Sequence, residues 1–273
     1  MSKEVATVKD ESQLPDYLRN MEGPARDDSN FGADDVVLPQ VKLLQGTSDQ
    51  IGVFDGAKPG EFWFTGLDVG LGPEVDFIVV SRKRKYLLAA PMDDGQGILA
   101  RADDATTWDR VGSWDVKVDK KTTVTWEIRD LDVKKSGLTE WGTYDPTDDQ
   151  SPPAATLFYE YLIVLPSHPD FGPMVMSLAR SAIKHAKKML NSKISLHLSN
   201  GRPMQAIKFR MKTATEQNES GQDYYVPQFY SAGFANESQY KWALALGKEL
   251  SDYKVQDEGQ IDEPVADGDD GAY

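Results

Sequence analysis

Four consecutive cations and an aromatic, Arg82-Lys-Arg-Lys-Tyr86, stand inside the β-prone run from Val75 to Leu88. Side chains on a strand alternate between faces, so Arg82 and Arg84 share one face with Tyr86 while Lys83 and Lys85 take the other. Two guanidinium groups beside a tyrosine offer charge for phosphates and a π surface for bases. The plainer reading is a solvated edge strand whose charges discourage aggregation. A second set follows at Arg180, Lys184, Lys187 and Lys188, spaced i, i+4, i+7 and i+8. This is one stripe of a helix whose apolar side carries Leu178, Ala182, Ile183, Ala186 and Leu190, although an ordinary surface helix shows the same pattern. The third set is Ile207-Lys-Phe-Arg-Met-Lys212, where alternation puts Lys208, Arg210 and Lys212 on one face and Ile207, Phe209 and Met211 on the other.

Between residues 171 and 215 there are nine Lys/Arg and no Asp or Glu. Tyr224, Tyr225, Phe229 and Tyr230 come soon after. Aromatics beside a basic strand face can hold a single strand without reading its sequence. Stacking contributes about 1–3 kcal/mol per base while Lys and Arg follow the phosphates. At least half of these aromatics are expected to be core or to cover the sheet.

Catalytic patterns are weak. Gly95-Gln-Gly-Ile-Leu-Ala100 fits G-x-G-x-x-A, but no helix is predicted after it, so it reads as a hairpin turn. His168, His185 and His197 lack metal-ligand spacing, and Glu127-Ile-Arg-Asp-Leu-Asp132 lacks the arrangement of a metal-dependent nuclease. No nucleophile has an adjacent base. The expectation is a protein that is not an enzyme and uses no cofactor or metal.

The elements that must position these residues are mostly short strands. Strand patterns occur at Val36–Gln45, Glu61–Thr65, Val75–Leu88, Leu157–Leu165 and Met204–Thr213, with a hairpin turn at 93–97 into Ile98–Arg101, a run Met174–Leu178 leading into a helix, and an aromatic segment at Tyr224–Tyr230. A helix is expected over Ala179–Asn191. A second is expected over Glu237–Ser251, opened by the capping box of Asn236 and Gln239. The segment 103–153 reads as a long insertion or a β-hairpin reaching from the body, with a β-prone patch at Thr122–Ile128. This pattern predicts a mainly β protein with two helices (α+β), an antiparallel barrel or sandwich and not a βαβ sheet.

The net charge of −14 is unevenly placed. Residues 1–35 hold nine Asp/Glu against four Lys/Arg, residues 252–273 hold eight against one, and the remaining 36–251 are near neutral at −2. Both ends lack the apolar residues needed to offset ordering entropy, so an N-terminal arm (1–35), a single domain (36–251) and an acidic tail (252–273) are expected. The chain has no Cys, which excludes disulfides and thiol chemistry and suits a reducing compartment. No apolar run approaches a membrane span, and the first residues do not resemble a signal peptide, which points to a soluble cytoplasmic protein with no membrane partner.

The tail ends Asp267-Gly-Asp269-Asp270-Gly-Ala-Tyr273, and over about twenty residues it resembles the C-terminal tails of bacterial and phage single-stranded-DNA-binding proteins. Leu38–Ser48, Ala57–Phe62 and Gly221–Phe229 look like a group of tailed-phage proteins described as, or suspected to be, single-stranded-DNA-binding. That resemblance implies an OB-like barrel and a place in phage DNA replication or recombination, in the host cytoplasm. It also implies a tail whose Asp267, Asp269, Asp270 and Tyr273 recruit replication or recombination proteins and compete for the DNA groove. On charge and aromatics, the groove would comprise Arg82, Arg84, Tyr86, Arg180, Lys184, Lys187, Lys188, Lys208, Arg210, Lys212, Tyr224, Tyr225, Phe229 and Tyr230. The alternative is an acidic DNA mimic acting on a host nucleic-acid enzyme, and a third class is a virion or assembly protein. The sequence leaves a homo-oligomer open.

Overall fold

A computed structural model describes residues 38–218 and 221–250. The arm 1–35, the tail 252–273 and the tail residues Asp267, Asp269, Asp270 and Tyr273 lie outside the described residues. The first three strands, β1 (Val41–Leu43), β2 (Phe62–Phe64) and β3 (Val69–Gly72), form a small antiparallel sheet. A run of 16 residues without glycine or proline then gives the longest strand, β4 (Glu74–Ala89), followed by β5 (Ile98–Ala102). Strands β6 (Gly112–Lys117) and β7 (Thr123–Ile128) form a separate hairpin. The rest are β8 (Ala155–Val164), β9 (Met174–Ala179), β10 (Ile207–Gln217) and β11 (Asp223–Phe234). The large sheet has the order β11-β10-β4-β8-β9, with β5 paired to the end of β4, and its pairings are antiparallel.

The architecture is mainly β with two helical runs, as the patterns indicate, but no sheet among the described residues closes into a barrel. The expected OB-like closure fails at the two edges, because β9 and β11 do not pair with each other. β1 lies against both instead. It reaches β9 through a single parallel bridge, Gln40 to Val175. Its link to β11 is Gln45, whose side-chain amide donates to the Tyr225 carbonyl and accepts from the Tyr225 N–H, both at 2.9 Å.

The first helical run is longer than expected. It passes from α1 (Ser181–His185) through a π segment (Ala186–Asn191) into α2 (Ser192–Ser199), since no helix breaker comes before Gly201 and Pro203. The second is α3 (Glu237–Glu249), opened by the capping box read from the sequence. Asn236 accepts from the Gln239 N–H at 2.9 Å, and Gln239 accepts from the Asn236 N–H at 3.1 Å.

Apolar residues gather in three clusters. The inner face of the large sheet, with Phe77, Val79, Tyr161 and Phe209, packs on the small sheet and on Ile183, Ala186, Leu190 and Ile194 of the first helical run. The outer face, with Ile78, Val80, Leu162 and Val164, is covered by Trp242, Ala243 and Leu246 of α3. Segment 103–153 contains a hairpin, as expected. Its Trp108, Val116 and Trp126 make a third cluster with Leu88, Leu99 and Ala155 of the neighbouring strands.

Candidate nucleic-acid interface

One irregularity decides which face the cations of β4 reach. Along β4, Phe77 and Val79 point inward, so strict alternation would send Arg82 and Arg84 outward with Ile78 and Val80. A register shift intervenes: Val79 pairs with Ile163 but Ser81 pairs with Leu162, leaving Val80 as an extra residue. Its carbonyl is satisfied by the Gln205 side-chain amide at 2.8 Å. A bulge of this kind reverses the alternation beyond it. Arg82 and Arg84 therefore stand opposite Tyr161 and Tyr159 on the inner face, with Tyr86 opposite Leu157. Arg82 Nη1 donates to Asn191 Oδ1 at 2.8 Å, and the buried Tyr161 hydroxyl donates to the same oxygen at 3.1 Å. Burial pushes the Tyr161 phenol well above its usual value, so it remains a donor. Arg84 is exposed, whereas Tyr86 is half-buried against the third cluster, which raises its phenol.

The outer-face cations meet carboxylates. Lys85 and Glu160 are each 2% exposed and 2.5 Å apart, with Lys83 at 3.2 Å on the other carboxylate oxygen. Farther along, Lys208, Arg210 and Lys212 line one face of β10, as alternation predicts. They face Ile78, Asp76 and Glu74 of β4 in register. Arg210 holds Asp76 through two hydrogen bonds of 2.6 and 3.1 Å and reaches Glu74 at 2.7 Å; Lys212 reaches Glu74 at 2.6 Å and Lys208 lies 3.9 Å from Asp76. The Arg210 hydrogen bonds, opposed by burial, bring the Asp76 carboxyl below its ordinary value. Tyr230, 42% exposed, lies under the Lys212 ammonium, 6.0 Å from ring centre to Nζ, beside an open hollow of about 420 Å³.

On the first helical run, Arg180 precedes α1 with φ of +48°, a conformation that stores strain in a non-glycine residue. Lys184 and His185 each reach Glu216 at 3.0 Å, and the Tyr224 hydroxyl donates to the same carboxylate at 3.0 Å. Burial pushes Glu216 up, but its hydrogen bonds from Lys184 and Tyr224 and the charges of Lys184 and His185 bring it below the ordinary value. Lys187 and Lys188 are exposed on the π segment. Among the described residues, Arg82, Arg84, Lys188, Lys193 and Arg202 have no carboxylate partner.

The fourteen sequence-predicted body residues thus do not line one groove. Arg82, Arg84 and Tyr86 are on the inner face, the Lys208–Lys212 row with Tyr230 is on the outer face, and the sheet separates them. Phe229 is core, edge-on to Phe77 at 6.1 Å, and Tyr225 packs over Gly60, whose φ of +83° and missing Cβ make room for the ring. Sequence reasoning missed Asn191, the residue that orients Arg82. Its place on the expected helix was legible, but the turn of the helix that faces β4 was not. Among the described residues no group of His, Asp and Glu could hold a metal ion, and no helix is long and apolar enough to cross a membrane.

Fold and site define an antiparallel α+β protein whose β4 meets a π-bearing helix at a cluster of cations, among them Arg82 and Arg84 without carboxylate partners among the described residues. The chain belongs to the Pam3 phage gp34-like protein family, whose model matches residues 8–256 and so attaches it to bacteriophage proteins. No curated protein and no solved structure matches it.

Proposed function

We propose that the protein binds single-stranded DNA without sequence preference, in phage DNA replication or recombination. The observation that carries this reading is a group of cations on β4 and along the first helical run and its exit that lack a carboxylate partner among the described residues, Arg82, Arg84 and Lys188 with Lys193 and Arg202. Unpaired surface cations in a chain of net charge −14 are surrounded by potential partners, and leaving them unpaired suits an external polyanion. In this reading the backbone runs past Arg84, Arg82 and the π segment. The outer row contributes less, because Glu74 and Asp76 already occupy its charges. The acidic tail competes for the same cations and, once displaced, recruits replication or recombination proteins.

Titration of a labelled oligo-dT by fluorescence anisotropy tests this, using the whole chain and a form ending at residue 251 at two salt concentrations. Each phosphate engaged contributes about −0.7 to the slope of log K against log salt, so five engaged cations give roughly −3.5. Removing the tail tightens binding. A protein with no affinity at low salt is not a single-strand binder, and equal affinity with and without the tail removes the competition.

A further inference from the structure

The most exposed ring among the described residues is one that strand alternation hides. Phe229 and Ser231 share the inner face with Met211 and Phe209, so Phe234 would point outward if β11 were regular. Between the pairs Phe209–Ser231 and Ile207–Phe234, however, β11 has one more residue than β10, and Gly233 there adopts φ of +90°. Glycine takes that conformation without a steric penalty. The bulge brings Phe234 opposite the buried Ile207, onto the inner face, where the ring is 65% exposed and sits edge-on to His197 at 5.7 Å. Strand spacing puts Phe234 two strands across and two residues along from Arg82, roughly 12 Å on the same side of the sheet.

Two cations lie near the His197 ring on which it packs. Lys193 lies one helical turn before His197, and the Arg202 N–H donates to the His197 carbonyl at 2.9 Å. Burial first, then these two charges, hold the His197 imidazole below its usual value. Neither Lys193 nor Arg202 has a carboxylate partner among the described residues, and there is no Asp or Glu from 171 to 215 or from 224 to 236. An exposed ring packed on His197, with two cations near that histidine that lack carboxylate partners and Glu237 engaged by Lys241, matches an unpaired base and its adjoining phosphates. A protein partner of similar area would usually bring hydrogen-bonding and acidic groups needing mixed complements.

We propose that Phe234 is a base-stacking platform on the single-strand path, with Lys193 and Arg202 receiving the flanking phosphates. The proposal rests on the single-stranded-DNA reading. It is tested with the whole chain and labelled oligo-dT, comparing wild type with Phe234→Leu, Phe234→Trp and Arg202→Ala, and mapping ultraviolet cross-links to peptides. Leu keeps the apolar bulk but has no π face, so Phe234→Leu weakens binding about tenfold at unchanged melting temperature, while Phe234→Trp stays within about twofold of wild type. Arg202→Ala makes the salt slope shallower by about 0.7. Cross-links fall on the peptide containing Phe234. If wild type binds and Phe234→Leu binds equally well, the platform is wrong and the single-strand reading stands. If wild type binds no oligonucleotide at low salt, both fall.

Discussion

The two faces of the large sheet treat their positive charges in opposite ways. On the outer face Lys83, Lys85, Lys208, Arg210 and Lys212 are set against Glu74, Asp76 and Glu160, in register across β4, β8 and β10. On the inner side Lys184 meets Glu216, but Arg82 is held by a neutral amide, and Arg84, Lys188, Lys193 and Arg202 have no carboxylate partner among the described residues. Cations matched by carboxylates hold strands together and have little left for a ligand. Cations oriented by neutral groups keep their full charge for one. Neighbouring cations on one strand, Arg82 and Arg84 against Lys83 and Lys85, therefore have different surroundings according to what stands across from them.

The largest effect expected from breaking this contrast is on stability, at Glu160. Glu160→Gln leaves Lys85 buried at 2% exposure with its countercharge gone. Stripping one partner from a buried ion pair costs about 3–5 kcal/mol, because the remaining charge keeps its desolvation cost without its countercharge. Urea unfolding should show a loss of that size. A midpoint near wild type would mean that Lys85 finds water, and that the outer face is not the closed ionic seam described above.

The complementary change is on the inner side. Arg82→Ala with Arg84→Ala removes the two groups proposed to take phosphates, each worth roughly 1.5 kcal/mol as a charge-assisted contact, so single-strand affinity should fall about 100-fold. Lys208→Ala with Lys212→Ala, equal in charge removed, should change affinity by less than about threefold. Anisotropy titrations of the two double variants at one salt concentration decide the matter. Equal losses would make the two faces functionally alike and return the Lys208–Lys212 row to the binding surface.

How much of this was legible in the sequence depends on where regularity breaks. Most strands, the apolar residues Ile183, Ala186 and Leu190 of the first helix and the Asn236–Gln239 capping box follow local rules of period and hydrogen bonding and stand as read. By contrast, Val36–Gln45 shortens to Val41–Leu43, Met204–Ala206 is a helical turn and Leu178 belongs to β9. The division of Lys208 and Arg210 from Ile207 and Phe209 also stands, because β10 is regular there. The position of Arg82 and Arg84 relative to that row was not legible. An inserted residue at Val80 reverses the faces, yet Phe-Ile-Val-Val-Ser reads as one unbroken strand. Gly233 was a visible cue for the second bulge, since an isolated glycine in a strand pattern marks such sites. The barrel failed for a nonlocal reason: whether β9 meets β11 depends on β1, far away in the chain.

The smallest expected effect concerns pH and again separates the faces. Asp76 is held by Arg210 on the outer face, so its folded-state carboxyl titrates below the ordinary value of about 3.8 that it has in the unfolded chain. A depressed carboxyl stabilises the fold fully above its unfolded value, and that contribution disappears as pH falls through the lower folded value. Asp76→Asn should therefore cost about 1 kcal/mol at pH 7, below the range of about 1.5–3 kcal/mol for a hydrogen bond to a charged group because Arg210 is 40% exposed to screening solvent, and less at pH 2. Urea unfolding of wild type and variant at both pH values measures this difference. At pH 7 the same substitution removes one of the two carboxylates facing Arg210, leaving Glu74 to hold it. Single-strand affinity should then rise slightly, by about twofold, as the outer row recovers part of its charge. A cost that persists undiminished at low pH would trace the loss to packing of the Asp76 side chain, and the outer-face carboxylates would no longer be what distinguishes the two sides.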